Sequence, residues 1–473
     1  MLVAIRFLYG LLMLATLVMV SPQAKRFFIS EKWGGFGQSG PDVNFIQNPA
    51  VMTLVYLLWM TACAGLITGI AAPFAALFNL ICCRYFFVSM RWKGNLRGFG
   101  APGFMSYWLG AVVFFLETAK AFCPEMMATA LLAAQLDFAF IMLSAGLYKM
   151  TAGYASGNGM EFGMVNPQWG YWWKIWKNVS PRNPVFEILN QLAWSAEVVA
   201  GLLMFFPQAR FIGGAMMFLS FIFIATQIRL GVLCEIVMTS CLVFAHPGSC
   251  IDELVKLCFR SPVASGFVGH SPAIAFCLSA FLWTYMVLLP LAHTGLFYNF
   301  YAKKSLPGLL QVCLEKYTNF FGIIIWRVFS ADHTSFFPLI YRRDKGGDKR
   351  ELVSKYGFTG GLRFDNVGEC IALTCLFTTL KYYCSNQALF NERLLRYART
   401  IPCKADQVLE FEYNIIRKTE SCFNFVPTVL YTVDPGASVV EEQSLVENWT
   451  GEKLSGSRVF EGARPGSYVP LGS

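Results

Sequence analysis

Eight polar or charged side chains stand in stretches that are otherwise almost wholly apolar: Glu117, Lys120, Asp137, Lys149, Glu197, Gln227, Arg229 and Glu235. An ionised group at the centre of an apolar helix in lipid costs about 2.5–3.5 kcal/mol on insertion scales, so such groups face a partner or a polar cavity. Glu117 and Lys120 are three apart on one helical face and can neutralise each other. Arg229 can pair with any of the carboxylates. On that reading the charges hold helices together. The other reading is a polar pocket centred on Lys149 and lined by Asp137, Glu197, Gln227, Arg229, Glu235, Glu117 and Lys120. Burial favours the neutral amine of a lysine, the form that acts as a base. The residues alone leave both open.

Composition says what surrounds these groups. The 473 residues are 55% hydrophobic and 14% charged, against about 25% charged in soluble domains. Residues 331–473 hold 17 basic and 17 acidic side chains, so the whole excess of +9 belongs to the first 330 residues. Basic excess among apolar runs is the mark of membrane-flanking loops, which argues against nucleic acid as a partner. Cys63, Cys123, Cys241 and Cys277 lie within apolar runs, where a thiol is a small hydrophobe. The cysteines form no C-x-x-C pair, and His246, His270, His293 and His333 are not paired at helical spacing, so no metal is expected.

Crossing a bilayer takes about 20 helical residues. Runs of that order occupy 3–20, 51–69, 71–89, 104–122, 127–147, 186–206, 211–228 and 274–298, with a shorter ninth at 230–246. The expected fold is mainly α: a polytopic transmembrane bundle of eight or nine spans over 1–300, with the first run a retained helix. The segment 84–100 carries Arg84, Arg91, Lys93 and Arg97 without an acid and is the best cytoplasmic loop. Trp169, Trp172, Trp173 and Trp176 beside Lys174 and Lys177 read as a membrane-interface belt. Residues 301–330 are an amphipathic connector. A small mixed α/β extramembrane domain follows over 331–433. It has a D-K-G-G turn at 344–347, helices over 366–400 and strands at 408–418 and 426–433. Residues 434–473, with six acids against three bases, form an acidic extended tail that cannot build a core alone and could dock on a protein partner.

At 136–164 the chain resembles the membrane domain shared by vitamin K-dependent γ-carboxylase and its bacterial relatives, the HTTM family. The matching pattern is an apolar helix, then Ala145-Gly146-Leu147-Tyr148-Lys149, then a turn with Tyr154, Gly157 and Met160. It continues at SAEVVAGLLMFF (195–206), ATQIRLGVLCEIVM (225–238) and WRVFSADHTSFFPLIYRRD (326–344). The resemblance implies a reduced isoprenoid quinone as cofactor and Lys149 as the base at the quinol. It implies a membrane environment too: the inner membrane in a bacterium, the endoplasmic reticulum in a eukaryote. The chain departs from the family where a histidine beside asparagines is expected, since VFFLETAKAFCPEMMATALLAAQ holds neither. The expectation is therefore a quinol- or lipid-binding membrane protein that is not a propeptide-dependent glutamate carboxylase. The alternative is a non-catalytic accessory subunit of a membrane complex.

Overall fold

A computed structural model shows a mainly helical chain with one small sheet near its C-terminal end. It describes residues 1–90, 100–245, 271–326, 334–354, 367–382 and 386–446, with positions 248, 249, 252, 253 and 257 between them. The basic residues Arg91, Lys93 and Arg97, and the tail from 447 onward, lie outside the described residues.

Ten helices build the bundle: α1 (Leu2–Val20), α2 (Pro49–Thr68), α3 (Ala72–Cys83, prolonged by the π-helical stretch Arg84–Ser89), α4 (Gly100–Phe122), α5 (Met127–Thr151), α6 (Pro184–Phe205), α7 (Arg210–Gln227), α8 (Leu233–Cys241), α9 (Pro272–Tyr301) and α10 (Gly308–Phe321). Among the described residues, seven helices are long and apolar enough to cross a membrane: α1, α2, α3 with its extension, α5, α6, α7 and α9. Their outward faces expose Leu57, Ile188, Leu219 and Phe276, as expected of a multi-pass membrane protein.

Seven corrects the expected eight or nine. α4, the run at 104–122, has the length, with 23 residues, but Ser106, Glu117, Lys120 and its glycines dilute its apolar character. Its Met105, Leu109, Val113 and Leu116 are buried against other helices. The run at 230–246 yields only the nine residues of α8, about 14 Å of helix at 1.5 Å per residue, too short to cross.

Helices in an apolar interior are joined where polar groups find partners. Tyr9 of α1 is fully buried; its hydroxyl donates to the Ser106 carbonyl at 2.7 Å and accepts from Asn79 Nδ2 at 2.6 Å. Asn79 Oδ1 accepts from Trp59 Nε1 at 2.7 Å. One network therefore ties α1, α2, α3 and α4. α5 and α6 approach through glycines: a Cβ on Gly201 would stand 2.7 Å from the Leu143 nitrogen, and one on Gly146 2.7 Å from the Val198 nitrogen. Small residues at such crossings let backbones meet.

The connector belongs to the bundle. α10 runs back along α9, with Asn299 Nδ2 donating to Gln311 Oε1 at 3.0 Å and Phe321 5.4 Å from the Tyr285 ring. Gly322, at φ 71°, ends it, and the Trp326 amide then reaches Ser144 Oγ at 3.4 Å.

The C-terminal unit is a five-stranded antiparallel sheet in the order β2-β1-β3-β4-β5, with β1 (Phe336–Asp344), β2 (Arg350–Leu352), β3 (Gln407–Lys418), β4 (Phe423–Asp434) and β5 (Val439–Ser444). The D-K-G-G turn closes the β1–β2 hairpin with Gly346 at φ 83°. Helices α11 (Val367–Tyr382) and α12 (Gln387–Ala398) cover one face, Phe377 stacking on Tyr413 at 5.3 Å and Phe390 meeting Tyr431 at 5.0 Å. β5 corrects the expected tail boundary. An edge strand needs no core of its own, because the neighbouring strand supplies its hydrogen bonds. Asp434 makes the turn into it, its Oδ1 accepting from the Gly436 and Ala437 amides at 3.0 and 3.1 Å.

Two predictions follow from this packing. Gly201→Val forces α5 and α6 apart at a cost of about 1–3 kcal/mol, read as a lower unfolding temperature in detergent; an unchanged temperature would show that the crossing has slack. The second concerns pH. The Lys345 ammonium, 2.5 Å away, with the two turn amides, holds the Asp434 carboxyl below its usual range. Its stabilisation of the β4–β5 turn is complete above the unfolded value of about 3.9 and is lost as pH falls through the lower folded value. Protection of β5 amides from hydrogen exchange, corrected for intrinsic rate, should fall through that interval, and Asp434→Asn should flatten the dependence.

Candidate functional site

Lys149 stands in the last turn of α5 and is 4% exposed. Because Gly146 and Gly201 bring α6 close, its Nζ meets Glu197 Oε1 at 2.6 Å. Glu197 is also buried, and its Oε2 has no hydrogen-bond partner among the described residues. The ring of Tyr154 lies 5.9 Å from the ammonium. The pair is closed on itself, and neither residue borders the cavity described next.

That cavity, about 530 Å³, lies between the end of α3, the middle of α4, the first half of α5, α9, and the end of α10 with residues 322–324. Its size is that of pockets holding one small molecule. The sequence reason is local. Ala130, Ala133 and Ala134 present short side chains where α9 and α4 send Phe281 and Phe115, whose rings stack 5.1 Å apart. Room is left between them.

Polar groups reach the interior of the cavity from α4, α5 and α9. Asp137, midway along α5, takes both the Trp108 Nε1 proton at 2.9 Å and the Tyr285 hydroxyl proton at 2.7 Å on its Oδ2. Its Oδ1 carries no hydrogen bond among the described residues. His293, 1% exposed, also borders the space, its ring stacked on Phe140 at 4.8 Å and 9°. Neither of its ring nitrogens has a hydrogen-bond partner among the described residues. A buried polar group left unpaired costs about 1–3 kcal/mol. Asp137 and His293 are thus an unmet acceptor and an unmet donor–acceptor pair facing one apolar space.

The remaining expected pocket residues lie elsewhere. Glu117 pairs with Arg6 of α1 at 3.5 Å rather than with Lys120. Arg6 lies in the first apolar run, far from Glu117 in the sequence. Gln227 Oε1 accepts from Trp176 Nε1 at 3.2 Å. The Arg229 guanidinium lies 5.1 Å from the Tyr171 ring, and Glu235 opens α8. Of the four tryptophans of the expected belt, only Trp172 is exposed. Trp169 and Trp173 are buried, Trp173 against Phe425 of β4 at 5.8 Å, and Trp176 packs on Phe186 at 5.7 Å. The aromatic segment is mainly the seat on which the sheet rests, not a belt turned to lipid.

That seat is fixed by hydrogen bonds. Asn166 Nδ2 donates to the Thr334 and Phe336 carbonyls at 2.7 and 2.8 Å, and Gln168 Nε2 to the Cys370 carbonyl at 2.6 Å. Glu161, fully buried, receives Lys418 Nζ at 2.8 Å and Asn190 Nδ2 at 2.8 Å. Trp108, Tyr285 and His293 carry no motif. The legible signal was an alanine cluster one to two turns before an aspartate inside an apolar helix.

The chain was compared with protein-family models, with curated proteins and with solved structures, and it matches none of them.

The Lys149–Glu197 pair makes a direct test. Removing one partner of a buried pair costs about 3–5 kcal/mol, whereas replacing both by apolar groups is often neutral. Lys149→Met and Glu197→Leu should each sharply lower stability in detergent, and the double variant should recover most of it. A double variant as unstable as either single one would show that the pair is not a closed unit.

Proposed function

We propose that this chain is an integral membrane protein that binds a hydroxyl-bearing amphiphile, a reduced isoprenoid quinone or a lipid, in the cavity at Asp137. The observation that carries the reading is His293, buried with both ring nitrogens unpaired among the described residues, bordering with Asp137 one apolar space of about 530 Å³. A ligand hydroxyl can donate to Asp137 Oδ1 and exchange a hydrogen bond with His293, while the ring or chain lies among Phe115, Phe281 and the alanines. The quinol comes from the resemblance to the HTTM family, as does placement in a bacterial inner membrane or the endoplasmic reticulum.

Lys149 stands roughly three turns beyond Asp137 on the same helix, at 3.6 residues per turn. In this reading its bond to Glu197 fixes α6 against the helix that presents the aspartate. The proposal stops at binding and does not extend to glutamate carboxylation.

The test is anaerobic titration of the purified protein in phosphatidylcholine nanodiscs with a prenylated hydroquinone, against empty nanodiscs. Asp137→Leu should weaken binding by about tenfold or more, since a hydrogen bond to a charged acceptor contributes about 1.5–3 kcal/mol. Binding unaffected by Asp137→Leu and by His293→Phe would place the ligand elsewhere.

A further inference from the structure

We propose that the ligand of this cavity carries an anionic group, a carboxylate or phosphate ester, which docks on Arg84 at the mouth. The inference rests on the reading that the cavity binds an amphiphile, and narrows its class.

Arg84 opens the π-helical stretch that prolongs α3, and it borders the cavity together with Ser89 and Phe320. Arg84 is half-buried, while Ser89 and Phe320 are exposed, which marks this end as the opening. Its Nη1 donates to Ser89 Oγ at 2.5 Å and its Nη2 to the Asn319 carbonyl at 3.3 Å. The guanidinium carbon stands 5.4 Å from the Phe320 ring. All three partners are neutral.

Arg210, away from the cavity, has neutral hydrogen-bond partners, Gln135 and the Met204 carbonyl, whereas Arg6 with Glu117, Lys149 with Glu197, Arg343 with Glu410 and Lys418 with Glu161 are paired to carboxylates. Among the described residues no carboxylate pairs with Arg84. A half-buried cation in an apolar setting calls for a counter-ion, and a guanidinium suits a carboxylate or phosphate through parallel N–H donors.

The charges bordering the cavity are arranged in depth. Arg84 is at the opening, and Asp137, whose Oδ2 already holds two donors, is within. A cationic ligand would have to pass the arginine to reach the aspartate. An anionic ligand meets the arginine first, keeps its charge at the opening, and offers an internal hydroxyl to Asp137 and His293. The fitting molecule is an amphiphile with an anionic end and a hydroxyl along its apolar body, as in a hydroxylated fatty acid.

Ricinoleate and its methyl ester test this, since they share chain and hydroxyl and differ in charge. The full-length protein in phosphatidylcholine nanodiscs is titrated with each, and binding to empty nanodiscs is subtracted. Wild type should bind the acid about tenfold or more tightly than the ester, and Arg84→Gln should bring the ratio to about one. Equal affinities in wild type, or a preference that survives in Arg84→Gln, overturns the proposal. The wild-type comparison decides it even if the variant fails to fold. Binding of the prenylated hydroquinone with no binding of ricinoleate also overturns it while leaving the cavity reading intact. No binding by any of the three probes removes both.

Discussion

A polar group placed in an apolar interior has to be satisfied there, because no water is at hand to replace a missing partner. That constraint organises this chain from end to end. Tyr9, Asn79, Trp59 and Ser106 form a closed network that joins the first four helices. Arg6 and Glu117 join α1 to α4, and Lys149 and Glu197 join α5 to α6. Each link makes a helix contact specific in a setting where dispersion alone would tolerate many alignments.

The same constraint carries the C-terminal sheet. Buried Asn166 and Gln168 reach backbone carbonyls at the edge of β1 and in α11, and Glu161 receives Lys418 from the end of β3. Arg396 of α12 reaches back to Glu31 at 3.0 Å, and Arg26 to Thr400 at 2.9 Å. The sheet is therefore anchored at several points on loops that connect the membrane helices. The tryptophan segment that flanks those loops serves both sides: Trp172 outward, Trp173 and Trp176 inward.

Against this background the cavity brings several unsatisfied groups to one space. Arg6, Glu117, Lys149 and Glu197 meet counter-charges within the bundle; at the cavity, among the described residues, Asp137 keeps one oxygen without a hydrogen bond, His293 two nitrogens, and Arg84 has no carboxylate. The three belong to helices far apart in the chain and border one space. A structural explanation by ion pairing accounts well for Lys149, Glu197 and Glu117, and leaves these three over. That division separates groups that build the fold from groups available to a ligand.

The amino-acid order alone determined the class of molecule. Long apolar runs, the basic excess before residue 330 and the change of texture after it follow from local composition, and so did most of the helices, the D-K-G-G hairpin and strands β3 and β4. Those features depend on residues close together in sequence, where periodicity is visible. Local composition misjudged α4, α8 and β5, whose status depends on length and on what lies beside them. Which charges meet was decided only by the tertiary structure. Glu117 had an obvious neighbour in Lys120 and took Arg6 instead; Lys149, the residue the sequence put forward, is locked to Glu197; and the cavity formed around Asp137 with a histidine from α9. Pairing in an apolar interior is set by which helices pack and at what level, and that is a property of the whole bundle rather than of any one span.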